Sequence, residues 1–474
     1  MIRSFDNKIG VIHFIGIGGI GMSGIAEVLI NLGFLISGSD ITENQNVLRL
    51  RNKQIKVDIG HNKKNIEDKS IIVISSAIHA NNVELLEARR LRLPIVKRAE
   101  MLAELMRFKT TVAVGGTHGK TTTTSLIATI LEKANFDPTV INGGIINSYN
   151  SNAKLGSSDW MVVEADESDG SFVRLPSTNV IVTNIDPEHL DHYKNFQNLK
   201  EAFKQFINNI PFYGLAVVCI DNPTIQSIIS EIEDRRIITY GLSPQADYRA
   251  QNINYIKSKA YFTLEVSPRI DAPKKKVEGL VANIPGIHNV QNVLAACAMS
   301  LELGISIGNI KQALSSFQGV NRRFSLLEEF KGIKIFDDYG HHPVEIRASL
   351  AAARDITKNK VVAIIQPHRY SRVRELFQDF SIAFNDADTV FVMDIYSAGE
   401  HEIENINKEN LIKSLIAAGH KDIRPFDSVI MLKEFIFKNL SIGDVIIFLG
   451  AGDITLTAKK FVSSICEKGM ISGN

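Results

Sequence analysis

A chain of 474 residues is too long for one hydrophobic core and points to about three domains. With 45% hydrophobic and 22% charged residues, and 53 basic against 52 acidic side chains, it has the balance of an ordinary globular protein. It carries no net field to draw in nucleic acid or an anionic membrane, so neither is expected as a partner. The three cysteines, Cys219, Cys297 and Cys466, stand far apart in apolar stretches and read as buried thiols of a reducing compartment.

The first apolar stretch, Ile9 to Ser37, is long enough to raise the question of a signal or spanning helix. It contains Gly16, Gly18, Gly19, Gly21, Gly24 and Gly33 with Glu27 and Asn31, and has no cleavage-site pattern. It reads as a strand, a glycine turn and a helix, and the expected location is the cytoplasm. Gly16, Gly18 and Gly21 satisfy G-x-G-x-x-G, and Ser39 and Asp40 end the next strand, FLISGSD, where an acid would take a ribose hydroxyl. A nicotinamide dinucleotide and a UDP-sugar both carry the diphosphate such a turn admits, so the glycines alone leave that choice open. A further strand, IIVISSAI, ends in Ser75, Ser76 and Ala77, placed equally well to cap a helix or touch a ligand. Two helical segments follow, and a boundary falls near Phe108.

The next stretch, TTVAVGGTHGKTTTT, carries the strongest signal. A β-branched strand breaks into Gly115 and Gly116, then Thr117, His118, Gly119, Lys120, Thr121 and Thr122 open a helix. Backbone N–H groups of such a turn cradle polyphosphate, the lysine adds a positive charge, and the following threonine is placed to hold Mg²⁺. The usual loop has glycine six residues before the lysine; Val114 stands there, so this is a tighter loop, still read as an ATP site. The strand of DWMVVEADESDGSF then ends in Glu164, Asp166, Glu167 and Asp169. Glu164, directly at the strand end, is the candidate metal ligand, and most of the others read as a solvated loop. NVIVTNIDPEHLDHY opens into Asn184, Asp186, Glu188, His189, Asp191 and His192; on chemistry alone His189 is as readily structural as a ligand, because Mg²⁺ prefers oxygen. Residues 236–285, with AYFTLEV and the basic run Lys274 to Lys276, read as an antiparallel β excursion with a solvated tip. His288, Asn289 and Asn292 start the next helix, as caps or as contacts for an adenine edge.

From about residue 321 strands and helices alternate again, as in a second doubly wound layer. The chemistry-bearing residues repeat at strand ends: Asp338, Tyr339, His341 and His342; His368, Arg369 and Arg372; Asp394. No Ser-His-Asp or Cys-His arrangement is recognisable, and the cysteine spacing makes no zinc site.

Taken together, GTHGKTTT, EADESD, NIDPEHLDHY, PGIHNVQN, NRRF, DDYGHHP and QPHRYSR resemble the Mur ligase family of ATP-dependent amide-forming enzymes across essentially the whole chain. The resemblance implies an α/β fold in three domains. These are a Rossmann-like one over residues 1–108 for a UDP-sugar, a P-loop one over 109–320 for ATP, and a Rossmann-like one over 321–474 for the incoming amino acid. The UDP-sugar would meet Gly18, Gly19, Gly21, Ser39, Asp40, Ser75 and Ser76. Gly115 to Thr122 would hold the ATP phosphates, Lys120 at the terminal ones. Thr121 and Glu164 would bind one Mg²⁺ and His189 a second. His288, Asn289 and Asn292 would face adenine, with Arg323 and Asp338 also at ATP. His341, His368, Arg369 and Arg372 would hold the amino acid.

The segments GIGGIGMSGIAEVL, SGSD and SSAI are most similar to the branch that joins L-alanine to UDP-N-acetylmuramate for peptidoglycan synthesis. The branch that attaches a recovered tripeptide to the same UDP-sugar is the near alternative. A nicotinamide oxidoreductase would leave Lys120 idle, and a nucleotide-gated binding protein would not explain the acids and His189. Other members carry a carbamylated lysine about where Lys204 lies, fifteen residues past His189; here Lys204 is expected to be an ordinary exposed lysine on an amphipathic helix. Arg369 and Arg372, three apart at a helix start, would share a face and converge on a carboxylate.

Overall fold

The computed structural model describes residues 9–75, 77–256, 258–271 and 275–469; Ser76 and Lys274 lie outside the described residues. The chain divides into two compact units. The first runs to Gln251 and takes in Thr263–Leu280 and Gln291–Gln318; the second holds Asn252–Phe262, Val281–Val290 and the chain from Gly319 onward.

Three sheets follow one another along the sequence. The first contains β1 (Val11–Ile15), β2 (Ile36–Asp40), β3 (Lys56–Ile59), β4 (Lys69–Ile74) and β5 (Ile95–Lys97), in the order β3-β2-β1-β4-β5. All its pairs are parallel. Apolar runs such as VIHFI are what a parallel sheet covered on both faces requires. The strand order reverses between β1 and β4, so the crevice for ligand lies outside their carboxyl ends, where the glycine turn and Ser75 sit.

The central sheet contains β6 (Thr110–Gly115), β7 (Thr139–Ile146), β8 (Ser151–Lys154), β9 (Trp160–Glu164), β10 (Asn179–Val182), β11 (Leu215–Cys219), β12 (Arg236–Gly241), β13 (Tyr248–Ile256), β14 (Lys259–Val266) and β15 (Lys275–Ala282). Its order is β15-β14-β13-β12-β11-β10-β6-β9-β7-β8. Strand β6 lies between β10 and β9 and is parallel to both, so the turns after all three strands emerge at one edge. In the stretch 236–285, β12 pairs in parallel with both β11 and β13, whereas the neighbours β13 and β14 are separated by two residues, a connection only an antiparallel hairpin allows. Asp221 accepts hydrogen bonds from the Leu242 and Ser243 N–H groups and turns the chain away at the end of β12 instead of back along it.

The third sheet contains β16 (Ser325–Phe330), β17 (Ile333–Asp338), β18 (Val361–Ile365), β19 (Thr389–Val392), β20 (Ile423–Pro425) and β21 (Val445–Leu449), ordered β16-β17-β21-β18-β19-β20. Only the β16–β17 pair is antiparallel. Along β18, Val361, Ala363 and Ile365 pack with Ile346, Leu350 and Phe380, while Val362 and Ile364 pack with Leu432, Ile436 and Phe461 on the other face. Helices thus cover both faces, as in a doubly wound layer.

Cys219 and Cys297 are buried, as expected, whereas Cys466 is exposed. It follows Ile465, the last of the buried stripe Ile454, Ala458, Phe461 and Ile465, and one residue further turns about 100° off that face. Among the described residues no helix is long and apolar enough to cross a membrane.

Candidate active site

The buried strand β6 delivers the glycine-rich turn to the sheet edge. Gly116 and Gly119 take φ of +131° and +83°, backbone that glycine adopts without strain. A Cβ on Gly116 would collide with the Thr183 hydroxyl, and one on Gly119 with the Asn292 amide oxygen. The turn is fastened from the end of β10. Thr117 N donates to Asn184 O (3.0 Å), His118 N to Asn184 Oδ1 (2.8 Å), and Thr183 Oγ1 and Asn184 Nδ2 both donate to His118 O. The helix Lys120–Lys133 starts here, with Thr121 and Thr122 buried in its first turn. Asn292 lies over the loop, accepting from Thr123 Oγ1 at 3.3 Å.

Lys120 Nζ donates to Gly116 O (2.6 Å), Thr117 O (3.0 Å) and Glu167 Oε1 (3.0 Å). Burial works against its ammonium, but Glu167, Glu164 and Asp166 hold its pKa above the usual lysine value. Glu167 is 1% exposed, so it is not part of a solvated loop. Burial lifts its carboxyl to about 7 against the pull of Lys120. Asp166 accepts from Arg98 Nη2 at 3.1 Å. Glu164, at the strand end, accepts from Gly143 N at 2.7 Å.

His189 takes φ of +57° just before the short helix Leu190–Tyr193, which turns its ring toward the acid loop; His189 Nε2 is 3.8 Å from Glu167 Oε1. Glu167, Glu188 and His189 offer ligand atoms all within 4.8 Å of one another. Two carboxylates and one imidazole fit a divalent cation, with the oxygens suiting Mg²⁺. His189, expected at a second Mg²⁺, thus has Glu167 and Glu188 beside it, while the Glu164 carboxylate, expected with Thr121 at the first, meets the backbone of Gly143.

In the glycine turn of the first sheet, Gly18 N donates to Asp40 Oδ2 (2.8 Å) and Asn46 Nδ2 donates to Gly18 O (2.8 Å). Asp40, expected at a ribose, is buried and braces the turn. Ser39 is fully buried because every residue of β2 is enclosed, and its hydroxyl donates to Glu84 Oε2 at 2.6 Å. Ser75 faces a cavity of about 520 Å³ that also touches Arg98, Gly170 and Arg174. A Cβ on Gly21 would lie 3.2 Å from Arg98 Nη1.

In the second unit, Asp338 is buried, and its oxygens accept from Phe324 N, Gly340 N and Ser349 Oγ at 2.7 to 2.9 Å. The Tyr339 ring centroid lies 4.9 Å from the guanidinium of Arg322 and 5.1 Å from that of Arg323. Arg323 Nη1 is 3.7 Å from Glu345. The imidazoles of His341 and His368 are 5.7 Å apart, His368 stacks on Tyr396 at 5.5 Å, and Arg372 Nη1 lies 3.2 Å from His368 Nδ1. Burial, then the charges of His341, Arg372, Arg369 and Arg322, lower the His368 pKa to about 3. Arg369 is not on the helix: it caps Tyr370–Glu375 with φ of +67°, so the shared-face argument fails for it. Arg372 instead meets His368, four residues earlier. Asp394 pairs with Lys408 at 3.0 Å and is largely exposed. His288 lies against Gly286, and Asn289 Nδ2 donates to Pro285 O at 2.7 Å.

Glu167, Arg98 and Tyr396 are prominent here without having stood out in the sequence. Arg98 had one usable signal, a cation at the positive end of a helix. Nothing local distinguishes Glu167 from the other acids of EADESD.

A glycine–lysine turn at the end of a buried parallel strand, with facing carboxylates, defines a phosphate-loop nucleotide-binding protein of three α/β layers. Residues 11–110 match the model of the Mur ligase family catalytic domain, 114–300 the Mur ligase middle domain, and 322–452 the Mur ligase glutamate ligase domain. The chain belongs to the Mur ligase family. It is 54% identical to the UDP-N-acetylmuramate–L-alanine ligase of Brucella anthropi, with 98% of each chain covered. It is 52% identical to that of Rhizobium etli, covering 94% of this chain and 95% of the relative. Among solved structures, the UDP-N-acetylmuramate–alanine ligase of Thermotoga maritima superposes with a TM-score of 0.82 at 31% identity, over 97% of this chain and 100% of that one. A murein peptide ligase of Psychrobacter arcticus shares the fold, with a TM-score of 0.68 at 21% identity, over 96% and 98% of the two chains.

Proposed function

We propose that this chain is an ATP-dependent ligase that joins L-alanine to the lactyl carboxylate of UDP-N-acetylmuramate. The products are UDP-N-acetylmuramoyl-L-alanine, ADP and phosphate. The observation that carries the reading is identity above 50% to L-alanine-adding ligases over nearly the full chain. The substrate carboxylate attacks the γ-phosphorus of ATP to give an acyl phosphate and ADP. The amine of alanine then attacks the acyl carbon, phosphate leaves, and the amide nitrogen loses its extra proton. Both nucleophiles belong to substrates, so the protein's task is alignment and charge neutralisation.

In this reading residues 1–108 take the UDP-sugar, 109–320 ATP and 321–474 the amino acid. The turn Gly115–Thr122 binds the ATP phosphates and Lys120 neutralises the terminal ones. Magnesium, when bound, supplies charge neutralisation at the phosphates; Thr121 and Glu164 would hold one ion, and His189, with Glu167 and Glu188 beside it, a second. His341, His368, Arg369 and Arg372 receive the amino acid. His288, Asn289, Asn292, Arg323 and Asp338 serve the nucleotide.

The test is ADP formation with UDP-N-acetylmuramate and a panel of amino acids and peptides. Alanine-dependent turnover is expected. Turnover with a murein tripeptide but not with alanine would replace this reading by the related peptide-attaching activity, and no ADP with any acceptor would remove it.

A further inference from the structure

One cation, Arg98, stands where the first sheet and the acid loop of the central sheet meet. Arg98 opens the helix Arg98–Met106 directly after β5. Its guanidinium crosses the first turn of the glycine-turn helix so closely that a Cβ on Gly21 would lie 3.2 Å from both Cδ and Nη1. From there Nη2 reaches Asp166 Oδ2 at 3.1 Å. Asp166 is the immediate neighbour of Glu167, whose carboxylate holds Lys120. Arg98 thus touches the turn that admits a diphosphate and the loop that faces the ATP phosphates.

This place is open to a ligand. Arg98 lines the cavity of about 520 Å³ with Ser75, Lys97, Arg107, Gly170 and Arg174. A helix start is an unfavourable place for a cation, so an arginine kept there needs a compensating partner. Asp166 is one such partner, and it is a carboxylate. The sugar acid of the proposed reaction must carry its own carboxylate from the glycine turn to the γ-phosphate. Arginine meets a carboxylate with two parallel N–H donors, which fixes its plane as well as its position.

We propose that Arg98 binds the lactyl carboxylate of the nucleotide-sugar substrate and aims it at the phosphate loop, Asp166 standing in that place when the substrate is absent. This rests on the reading of the substrate as a UDP-sugar acid. No bond is made or broken at Arg98; its part is to hold the nucleophile.

The experiment compares Arg98→Gln and Arg98→Lys with the parent, as full-length protein, by calorimetric titration with two probes. One is UDP-N-acetylmuramate; the other is UDP-N-acetylglucosamine, which has the same nucleotide and sugar but no lactyl carboxylate. Arg98→Gln should weaken the first on the order of 30-fold, the loss of a charge-assisted pair, and leave the second and ATP within about twofold. Arg98→Lys should fall between. Equal weakening of both nucleotide sugars would put Arg98 on the diphosphate or make it a structural brace, and unchanged affinity for both would leave it without a ligand; either result overturns the proposal. Failure of the parent protein to bind UDP-N-acetylmuramate would instead remove the functional reading beneath it.

Discussion

Lys120 and Glu167 form a buried ion pair, with Nζ 3.0 Å from Oε1 and 2.9 Å from Oε2. The pair ties the phosphate loop to the acid loop that follows β9, and it holds the lysine over the carbonyls of its own turn. Glu167 also stands within 4.8 Å of the ligand atoms of Glu188 and His189. One carboxylate therefore serves the lysine and the candidate metal site. A cation arriving at Glu167 would compete with Lys120 for it and turn the ammonium toward the phosphates.

Replacing Lys120 with Met keeps most of the side-chain volume and removes the charge. Glu167, already lifted to about 7, then takes up a proton and stays buried, so the fold survives. Turnover should drop on the order of 10³-fold, as for loss of a strong electrostatic stabiliser. The checks are circular dichroism for the fold and phosphate release for turnover; near-parental release would remove the assignment of this loop to ATP.

Gly116→Ala probes the same loop through its backbone. The residue sits at φ of +131°, and an added Cβ would strike Thr183, whose backbone N would lie 3.0 Å away. Strain at such a position costs on the order of 1–3 kcal/mol before any clash is counted. A thermal melt should show a lower midpoint, and ATP affinity should fall with it. A variant as stable as the parent would mean that the turn relaxes freely.

The strands, the glycine turns and the recurrence of chemistry at strand ends were legible because each depends on local pattern: apolar β-branched runs, glycine at forced backbone, polar residues where a parallel strand stops. Glu167 was not. Its burial depends on the partner that Lys120 provides from the helix start after β6, and EADESD offers four acids with no local difference between them. Arg369 was misread for a related reason. Helical spacing from Arg372 says nothing about whether the chain has entered the helix, and at φ of +67° it has not. Nor does distance along the chain show that Asp40, expected at a ribose, also accepts from the N–H of Gly18.

Lys204 tests a likeness that spacing alone suggests. Its ammonium pairs with Glu201 at 2.8 Å and Glu231 at 2.9 Å, and these partners raise its pKa. The amine reacts with CO₂ only as the neutral form, which these partners disfavour, so Lys204 is expected to stay an ordinary lysine. Lys204→Ala should keep turnover within about twofold, since surface ion pairs contribute little. A large loss rescued by bicarbonate would show that the lysine is carbamylated after all.

His368 gives a pH signature. Its pKa is about 3 in the folded protein and near the ordinary 6.5 when unfolded. Between these values the unfolded chain binds the extra proton, so this group's contribution is fully present above pH 6.5 and is lost as pH falls toward 3. The facing charges are His341, Arg322, Arg369 and Arg372, with Tyr396 stacked on the ring. Denaturation of His368→Asn across that window should show a shallower loss of stability than the parent. Parallel curves would mean that the ring protonates in place.

Arg372 Nη1 lies 3.2 Å from His368 Nδ1, and His341 stands beside that imidazole. His368 stays neutral, so its ring nitrogen can accept from the guanidinium and hold its plane fixed. A planar guanidinium so fixed can present parallel donors to the carboxylate of a free amino acid, whereas a lysine ammonium is a point charge on a flexible stem. Arg372→Lys should raise the KM for alanine on the order of tenfold or more, leaving the KM values for ATP and the UDP-sugar within about twofold. His368→Asn should move the alanine KM in the same direction by less, because it loosens the fork without removing it. If ATP affinity falls in step with alanine affinity, the guanidinium serves the nucleotide, and the amino acid binds elsewhere.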